Sequence, residues 1–440
     1  MKTGLYWFTD DLRLQDNISL NATLYACDEV LFVYVLDERL LKPTNYNHAQ
    51  LGTCKLQFIK ESLLDLSEQL QQLGYELLVL RGKPNDVVKE IVHTLSIDVI
   101  GCHNSTGFYE RKGLQKLTEQ LPKIRFISQN NNLLFGHKQI DSNALTGSFS
   151  KFRKKTAHTV VYEPVDSVLS DTLPMPVNSK TVELRSWEFR AGHSEHGVAS
   201  NFRGGELEAL NAIESYFSGE AASRYKETRN ELDGYDNSTK FSPYLALGNI
   251  SPRQIVESLK CYEHKHGAND STYWIFFELL WREFFHHKAM IKGSKLFAFS
   301  GETHKRPLTT YYPQRFLSWC NGETPFALVN ALMRELNATG YMSNRGRQIV
   351  ASCLVNEFQV DWRYGAAYFQ QQLIDHDVAS NWGNWQYIAG VGDDPRGGRH
   401  FNIDKQTQFY DPRGEFTRKW LSNEPVVSSE VDMVDWPQEG

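Results

Sequence analysis

The sequence predicts two structural classes in one chain: a doubly wound parallel α/β sheet over residues 1–130 and an all-helical unit over 205–440, joined by a long connector, 131–204. Three observations carry this expectation. Short apolar runs alternate with amphipathic ones through the first 130 residues, which implies parallel strands whose crossover helices cover both faces. Beyond Gly205 the periodicity is helical, without hairpin signals, and eight of the ten tryptophans lie after residue 270. Between the two units the pattern dissolves into polar, Pro- and Ser-containing sequence, including Glu163-Pro164-Val165-Asp166-Ser167 and Leu173-Pro174-Met175-Pro176.

Taken in order, strands are expected at Gly4–Thr9, Val30–Leu36, Tyr75–Leu80, Ile97–Gly101 and Lys123–Ser128. Between the second and third, Leu56, Ile59, Leu63, Leu66, Leu70 and Leu73 recur at spacings of three and four, and Gly74 follows as a helix-terminating residue. A further helix opens at Pro84, since proline suits a first turn, and turns Val87, Val88, Ile91 and Leu95 inward. A connector of about 70 residues without regular structure is unusual and is expected to lie against both halves. In the second half, Tyr273–Met290, Pro325–Leu336 and Arg347–Val360 read as helices.

Composition narrows the function classes. At 440 residues, 41% hydrophobic and 23% charged, the chain resembles a soluble globular protein. No apolar run approaches the roughly 20 residues that span a bilayer. The opening MKTGLYWFTDDLRLQDN is too acidic for a signal or transit peptide, so a cytoplasmic protein is expected. Six cysteines are scattered without a C-x-x-C pair and read as reduced core residues. The formal net charge of −6 gives no global basic field, so any contact with nucleic acid must come from a local patch.

Several catalytic signatures are missing. There is no G-x-x-x-x-G-K-[ST], no G-x-S-x-G and no H-E-x-x-H, and His286 and His287 are adjacent, a poor spacing for one metal ion. What stands out is a concentration of polar and aromatic residues in the helical half. Trp281 and Arg282 follow Glu278 by three and four residues, so all three share one helix face. Asn344 and Arg345 precede an amphipathic helix, and Asp375-His376-Asp377 stands ahead of Asn381, Trp382, Trp385 and Tyr387. Ser238-Thr239-Lys240-Phe241-Ser242-Pro243 offers hydroxyls, backbone N–H groups and a cation just before a helix, a workable anion site. Singly, an Asp–Arg pair is ordinarily a structural salt bridge and a buried Trp ordinarily core. Together they describe a pocket for a planar heteroaromatic ligand.

These motifs resemble the photolyases and cryptochromes. Trp7-Phe8-Thr9-Asp10-Asp11-Leu12-Arg13-Leu14-Gln15-Asp16-Asn17 is similar to that family's opening signature, Thr239–Leu245 to its flavin-phosphate loop, and Glu278–Phe284 to its pocket helix. Asn381–Tyr387 through Asp411-Pro412 resembles the DASH cryptochrome branch. The resemblance implies a non-covalent FAD held by Tyr225, Ser238, Thr239, Lys240, Phe241, Ser242, Glu278, Arg282, Asn344, Arg345, Asp375, Asp377 and Asn381, with Arg345 expected to pair with Asp375. It implies light-driven repair of cyclobutane pyrimidine dimers, preferentially in single-stranded DNA, with Glu278, Trp281, Asn381 and Tyr387 at the reacting centre. Trp281 would pack on the lesion's face. DNA contact is expected from Lys151, Arg153, Lys154, Lys240 and Trp281, with Lys155 in the same run, although such a run is as often a solvated face.

Trp385 and Trp362 resemble the inner members of the family's electron-transfer chain, but the third position is Thr309, so either Tyr311, Tyr312 or Trp319 substitutes or photoreduction is slow or follows another route. A folate antenna, 5,10-methenyltetrahydrofolate, is implied near Glu110; no metal and a monomer are expected. The alternative is a blue-light signalling cryptochrome, which is disfavoured because the chain ends soon after Trp420 and keeps Glu278 and Trp281. An iron–sulfur relative is disfavoured because the last cysteine is Cys353.

Overall fold

The computed structural model describes residues 1–136, 139–140, 147–165, 173–177, 186–187, 202–303, 306–392 and 398–421. Five parallel strands form the N-terminal sheet: β1 (Thr3–Phe8), β2 (Glu29–Asp37), β3 (Leu77–Gly82), β4 (Val99–His103) and β5 (Arg125–Gln129). Their spatial order is β3-β2-β1-β4-β5, the doubly wound arrangement expected from the alternation. Because side chains alternate across a strand, Leu5 and Trp7 of β1 face one layer while Tyr6 and Phe8 face the other.

The first layer is covered by α3 (Pro84–Leu95) and α4 (Phe108–Gln120), with Val88, Ile91 and Leu117 fully buried. The second is covered by α1 (Ile18–Leu24) and α2 (Thr53–Gln72), through Leu20, Phe58, Leu63 and Leu66. Each strand lies within two residues of its expected position. Gly74 follows α2 with φ +85°, a conformation glycine adopts without steric cost.

The connector holds more regular structure than its polar composition implies. It contains α5 (Phe149–Thr156) and a two-residue strand, β6 (Met175–Pro176), that pairs in parallel with the start of β2. Helix α5 is too short and too basic to show a period, but Phe149 and Phe152 are buried against the helical half.

Beyond residue 205 the described residues are helical: α6 (Glu206–Ser218), α7 (Ala221–Thr228), α8 (Ser242–Leu247), α9 (Pro252–His266), α10 (Asp270–Lys292), α11 (Pro313–Asn321), α12 (Ala327–Thr339), α13 (Asn344–Ser352), α14 (Trp362–Gln372), α15 (Val378–Ile388), α16 (Ile403–Tyr410) and α17 (Glu415–Leu421). Among the described residues no helix is long and apolar enough to cross a membrane, and no group of His, Cys, Asp and Glu is placed to hold a metal ion.

The two halves are joined by buried charge. After β1 the chain turns into the helical half, where Arg13, fully buried, donates to the carbonyls of Asp16, Asn131 and Gly248 and to the Asn132 side chain, at 2.7–2.9 Å. Arg253, in the first turn of α9, pairs with Asp16 at 2.8 Å and donates to the carbonyls of Leu133 and Asn131. Glu206, opening α6, accepts from the Leu14 and Gln15 backbones. Every charge here meets a partner, the condition under which buried charges are tolerated. One apolar core accordingly runs from the sheet face of Tyr6 and Phe8 into helices α6 to α10.

Candidate functional site

A cavity of about 850 Å³ lies in the helical half, large enough for a ligand of dinucleotide size. Its walls come from α7, from the segment before and through α8, from α10, from α13, and from α14, α15 and the turn between them. Helices α10 and α15 approach so closely that a Cβ on Gly383 would lie 2.5 Å from the Phe285 ring, so only glycine closes this wall. Glu278, Trp281 and Arg282 all reach the cavity, as their spacing on α10 requires.

The polar groups fall into two clusters. In the first, Asp375 accepts from Ser242 Oγ at 2.6 Å and from Arg347 Nη2 at 2.8 Å, both at Oδ2. Its Oδ1 is buried without a partner, as are Arg345 Nε and His376 Nε2, all three in cavity-lining residues. The expected Arg345–Asp375 pair is therefore corrected: Arg347 makes it. Two residues along a helix rotate a side chain by about 200°. Ser343 caps α13, and this sends Arg347 toward Asp375 while the Arg345 guanidinium meets Asn230 at 3.3 Å and lies 5.0 Å from the Tyr410 ring.

In the second cluster, Asp377 caps α15 by accepting from Ser380 N at 2.7 Å and meets His286 Nε2 at 3.2 Å. Burial would raise its pKa, but His286 and Arg282 outweigh that and hold the carboxyl well below the usual range. Burial lowers the His286 pKa in spite of Asp377, and its Nδ1 lies 2.9 Å from Thr106 Oγ1 of the sheet domain. Arg282 donates to the Asn132 carbonyl at 2.6 Å, so the connector fixes its direction. Asn381 Nδ2 donates to the Ala366 carbonyl at 2.9 Å, which fixes that amide at the cavity wall.

Tyr225, Ser238, Thr239, Lys240, Phe241, Ser242 and Asn344 also line the cavity. Helix α8 has only six residues, so the anion-binding capacity of this loop rests on hydroxyls and on Lys240. Lys240, at φ +54°, turns its ammonium over the Tyr341 ring at 4.8 Å and is a cavity residue. Glu278 is engaged by Arg229, whose guanidinium lies 4.3 Å over the Trp274 ring. Burial raises the Glu278 pKa and Arg229 opposes the rise. Tyr387 accepts from Arg399.

Trp281 does not offer a free face. Phe149 stacks on it at 3.7 Å and 11°, and Phe285 lies against it at 5.6 Å and 28°, so a ligand meets its edge. Lys151, Arg153 and Lys154 stand on α5 outside the cavity. Glu110 lies apart, in the first turn of α4. Phe149, Arg229, Arg347 and Arg399 were not singled out from sequence. Arg229 is 49 residues from Glu278, and only Arg347, one turn into a helix already identified, left a local signal.

Trp385 lines the cavity and meets Phe369 at 5.2 Å and Trp319 at 6.2 Å. Trp362 is fully buried, donates to the Phe299 carbonyl and packs edge-on against Trp382 at 5.8 Å. Beside Thr309 opens a cavity of about 360 Å³ lined by Tyr46, Tyr311 and Tyr364, the last two stacked at 4.1 Å.

Residues 4–170 match the family model for DNA photolyase, and residues 274–438 match that for the FAD binding domain of DNA photolyase. The chain is 44% identical to a cryptochrome DASH of Idiomarina loihiensis, covering 99% of this chain and 96% of the relative. It is 46% identical to a cryptochrome DASH of Vibrio parahaemolyticus, covering 99% and 97%. The solved structure of a Synechocystis cryptochrome superposes with a TM-score of 0.89 at 38% identity, covering 97% of this chain and 90% of that one.

An FAD-binding domain suits the cavity. Its volume, the unpartnered buried polar atoms of Asp375, Arg345 and His376, and the hydroxyls and cation of 238–242 suit a large ligand with polar ring edges and an anionic group. Arg347→Leu strands Asp375 and is expected to weaken FAD retention roughly ten- to a hundredfold, the loss of one charged hydrogen bond. Arg345→Leu is expected to cost less. The flavin-to-protein absorbance ratio after dialysis measures both, and equal losses would contradict the assigned pair.

Proposed function

The chain belongs to the photolyase and cryptochrome family, in its cryptochrome DASH branch, and from that premise we propose an FAD-dependent lyase that uses blue light to split cyclobutane pyrimidine dimers, preferentially in single-stranded DNA. The observation that carries this reading is that Glu278, Trp281 and Tyr387 share one cavity with Arg282, Asn381 and the Asp375–Arg347 pair. When bound, FAD would supply the light-driven electron-transfer chemistry of the reaction. The chain's own residues bind, orient and exclude water.

Glu278 meets the dimer's carbonyl or imide edge. Its carboxyl is raised by burial and opposed by Arg229, so it can accept from an imide N–H or, protonated, donate to a carbonyl. The edge of Trp281 and the ring of Tyr387, 6.2 Å apart and nearly perpendicular, form the apolar wall. Asn381, its amide fixed by Ala366, would present a neutral polar group to the flavin ring. Ser238, Thr239, Lys240, Phe241, Ser242 and Tyr225 would hold the phosphates, and Asn344, Arg345, Asp375 and Asp377 would hold the ring systems. A lesion must leave its stack to enter, at a cost of a few kcal/mol that is lowest in a single strand. Lys151, Arg153 and Lys154 on α5 form a basic rim for phosphates, answering the need for a local patch in a net acidic chain.

Electrons that reduce the cofactor enter through Trp385 and Trp362. Past Thr309 the outer end falls to tyrosines: Trp382 lies 6.3 Å from Tyr46, Tyr46 5.2 Å from Tyr364, and Tyr364 stacks on Tyr311. A folate antenna would fit between the halves at the switch point of the sheet, where β1 and β4 are neighbours with crossovers that diverge. Asp10 follows β1, and Glu110 follows β4; both are exposed.

Photoreduced protein under blue light is expected to restore thymines in an irradiated single-stranded oligonucleotide. Glu278→Ala should lower that rate roughly ten- to a hundredfold with flavin still bound. Loss of flavin from this variant would refute the residue's role, and no restoration by wild-type protein with reduced flavin bound would favour a blue-light receptor. Trp362→Phe is expected to slow flavin photoreduction, and a wild-type rate would rule out this route. Glu110→Gln should remove the near-ultraviolet folate shoulder while sparing the flavin band; a retained shoulder would move the antenna elsewhere.

A further inference from the structure

The cavity wall continues outward as a run of aromatic rings. Tyr387 meets Trp281 edge-on, Trp281 stacks on Phe149, and Phe149 meets Phe277 at 5.1 Å. Phe277 in turn lies 4.4 Å from Trp274 and 6.2 Å from Tyr273. Three guanidiniums lie against this run: Arg399 5.1 Å over Tyr387, Arg153 5.6 Å over Phe277 and Arg229 4.3 Å over Trp274. The acids on this face are matched, Glu278 by Arg229 and Asp270 by Lys226 at 2.7 Å. Tyr273, in the first turn of α10, is 45% exposed and lies outside the cavity lining. Burial in the core does not account for a large ring at that position.

We propose that the outer rings of this strip, Phe277, Trp274 and Tyr273, form a stacking track for the bases flanking the lesion on a single strand, with Tyr273 its outermost platform and Arg153 its phosphate contact. Rings interleaved with arginines are the ordinary means of holding unpaired nucleic acid, because every base has a π-face and every linkage a charge. From Tyr273 to Trp281 the strip runs eight residues along α10, about 12 Å. Duplex DNA cannot use it in the same way, since its flanking bases stack on one another and leave no face for Tyr273. The inference rests on the DNA-repair reading and adds to it a physical source of strand preference that runs from the cavity wall out to Tyr273.

Fluorescence anisotropy of the flavin-loaded protein with an undamaged oligothymidylate of about 16 nucleotides tests it. Tyr273→Ala is expected to weaken single-strand binding roughly five- to a hundredfold without changing its salt dependence, because the ring carries no charge. Tyr273→Phe should bind like wild type. Arg153→Gln should reduce the salt slope by about one. Duplex binding should be unchanged by Tyr273→Ala. Undiminished single-strand affinity in Tyr273→Ala with normal flavin content would overturn the proposal, as would an equal loss on duplex. Dimer restoration by wild-type protein in an irradiated single-stranded oligonucleotide at saturating concentration is scored separately. Its failure would remove the repair reading, while a Tyr273-dependent loss in the oligothymidylate assay would still support the track.

Discussion

Arg13 and Arg253 hold the molecule in register. Both guanidiniums sit in the junction between the sheet and the helices, one fully buried and the other nearly so, and both spend their donors on backbone carbonyls of 131–133 and of the loop after β1. A buried guanidinium without such partners is expensive, by several kcal/mol. The loop, the connector and the start of α9 are thus constrained to one arrangement. Asn132 is the hinge of that constraint: its side chain accepts from Arg13, and its carbonyl accepts from Arg282 at the cavity. The junction therefore sets the direction of a cavity side chain through two hydrogen bonds.

The cavity inherits its electrostatics from the same arrangement. Asp377 is kept ionised by His286, and His286 is kept in place by Thr106 from the sheet domain. Asp375 is held from two helices at once, by Ser242 and Arg347, with one oxygen left over for a ligand. A fixed set of dipoles and charges around an uncharged amide, Asn381, is the environment a redox cofactor requires of its protein, which supplies orientation and field while the cofactor supplies the chemistry.

How much of this was legible varied with the distance over which the deciding contact acts. Strands β1 to β5 and helix α2 were read within a few residues, because a buried parallel strand is a continuous apolar run and a half-buried helix shows its period locally. Helix α5 was not, since Phe149 and Phe152 give only two apolar points in a basic octet. Glu278, Trp281 and Arg282 could be placed on one face from spacing alone. Which of Arg345 and Arg347 meets Asp375 depends on the rotation of α13 against α14, a tertiary fact. That Phe149 covers Trp281 depends on the path of the connector, which composition does not encode. Thr309, by contrast, was visible as a departure, and the structure supplies its consequence: a cavity walled by tyrosines where a larger ring would stand.

The central claim is that the cavity among α7, α10, α13 and α15 is an FAD site. The visible absorption spectrum of the purified, dialysed protein tests it most directly. A structured blue band corresponding to about one flavin per chain is expected. A colourless protein that also takes up no FAD on incubation would contradict it.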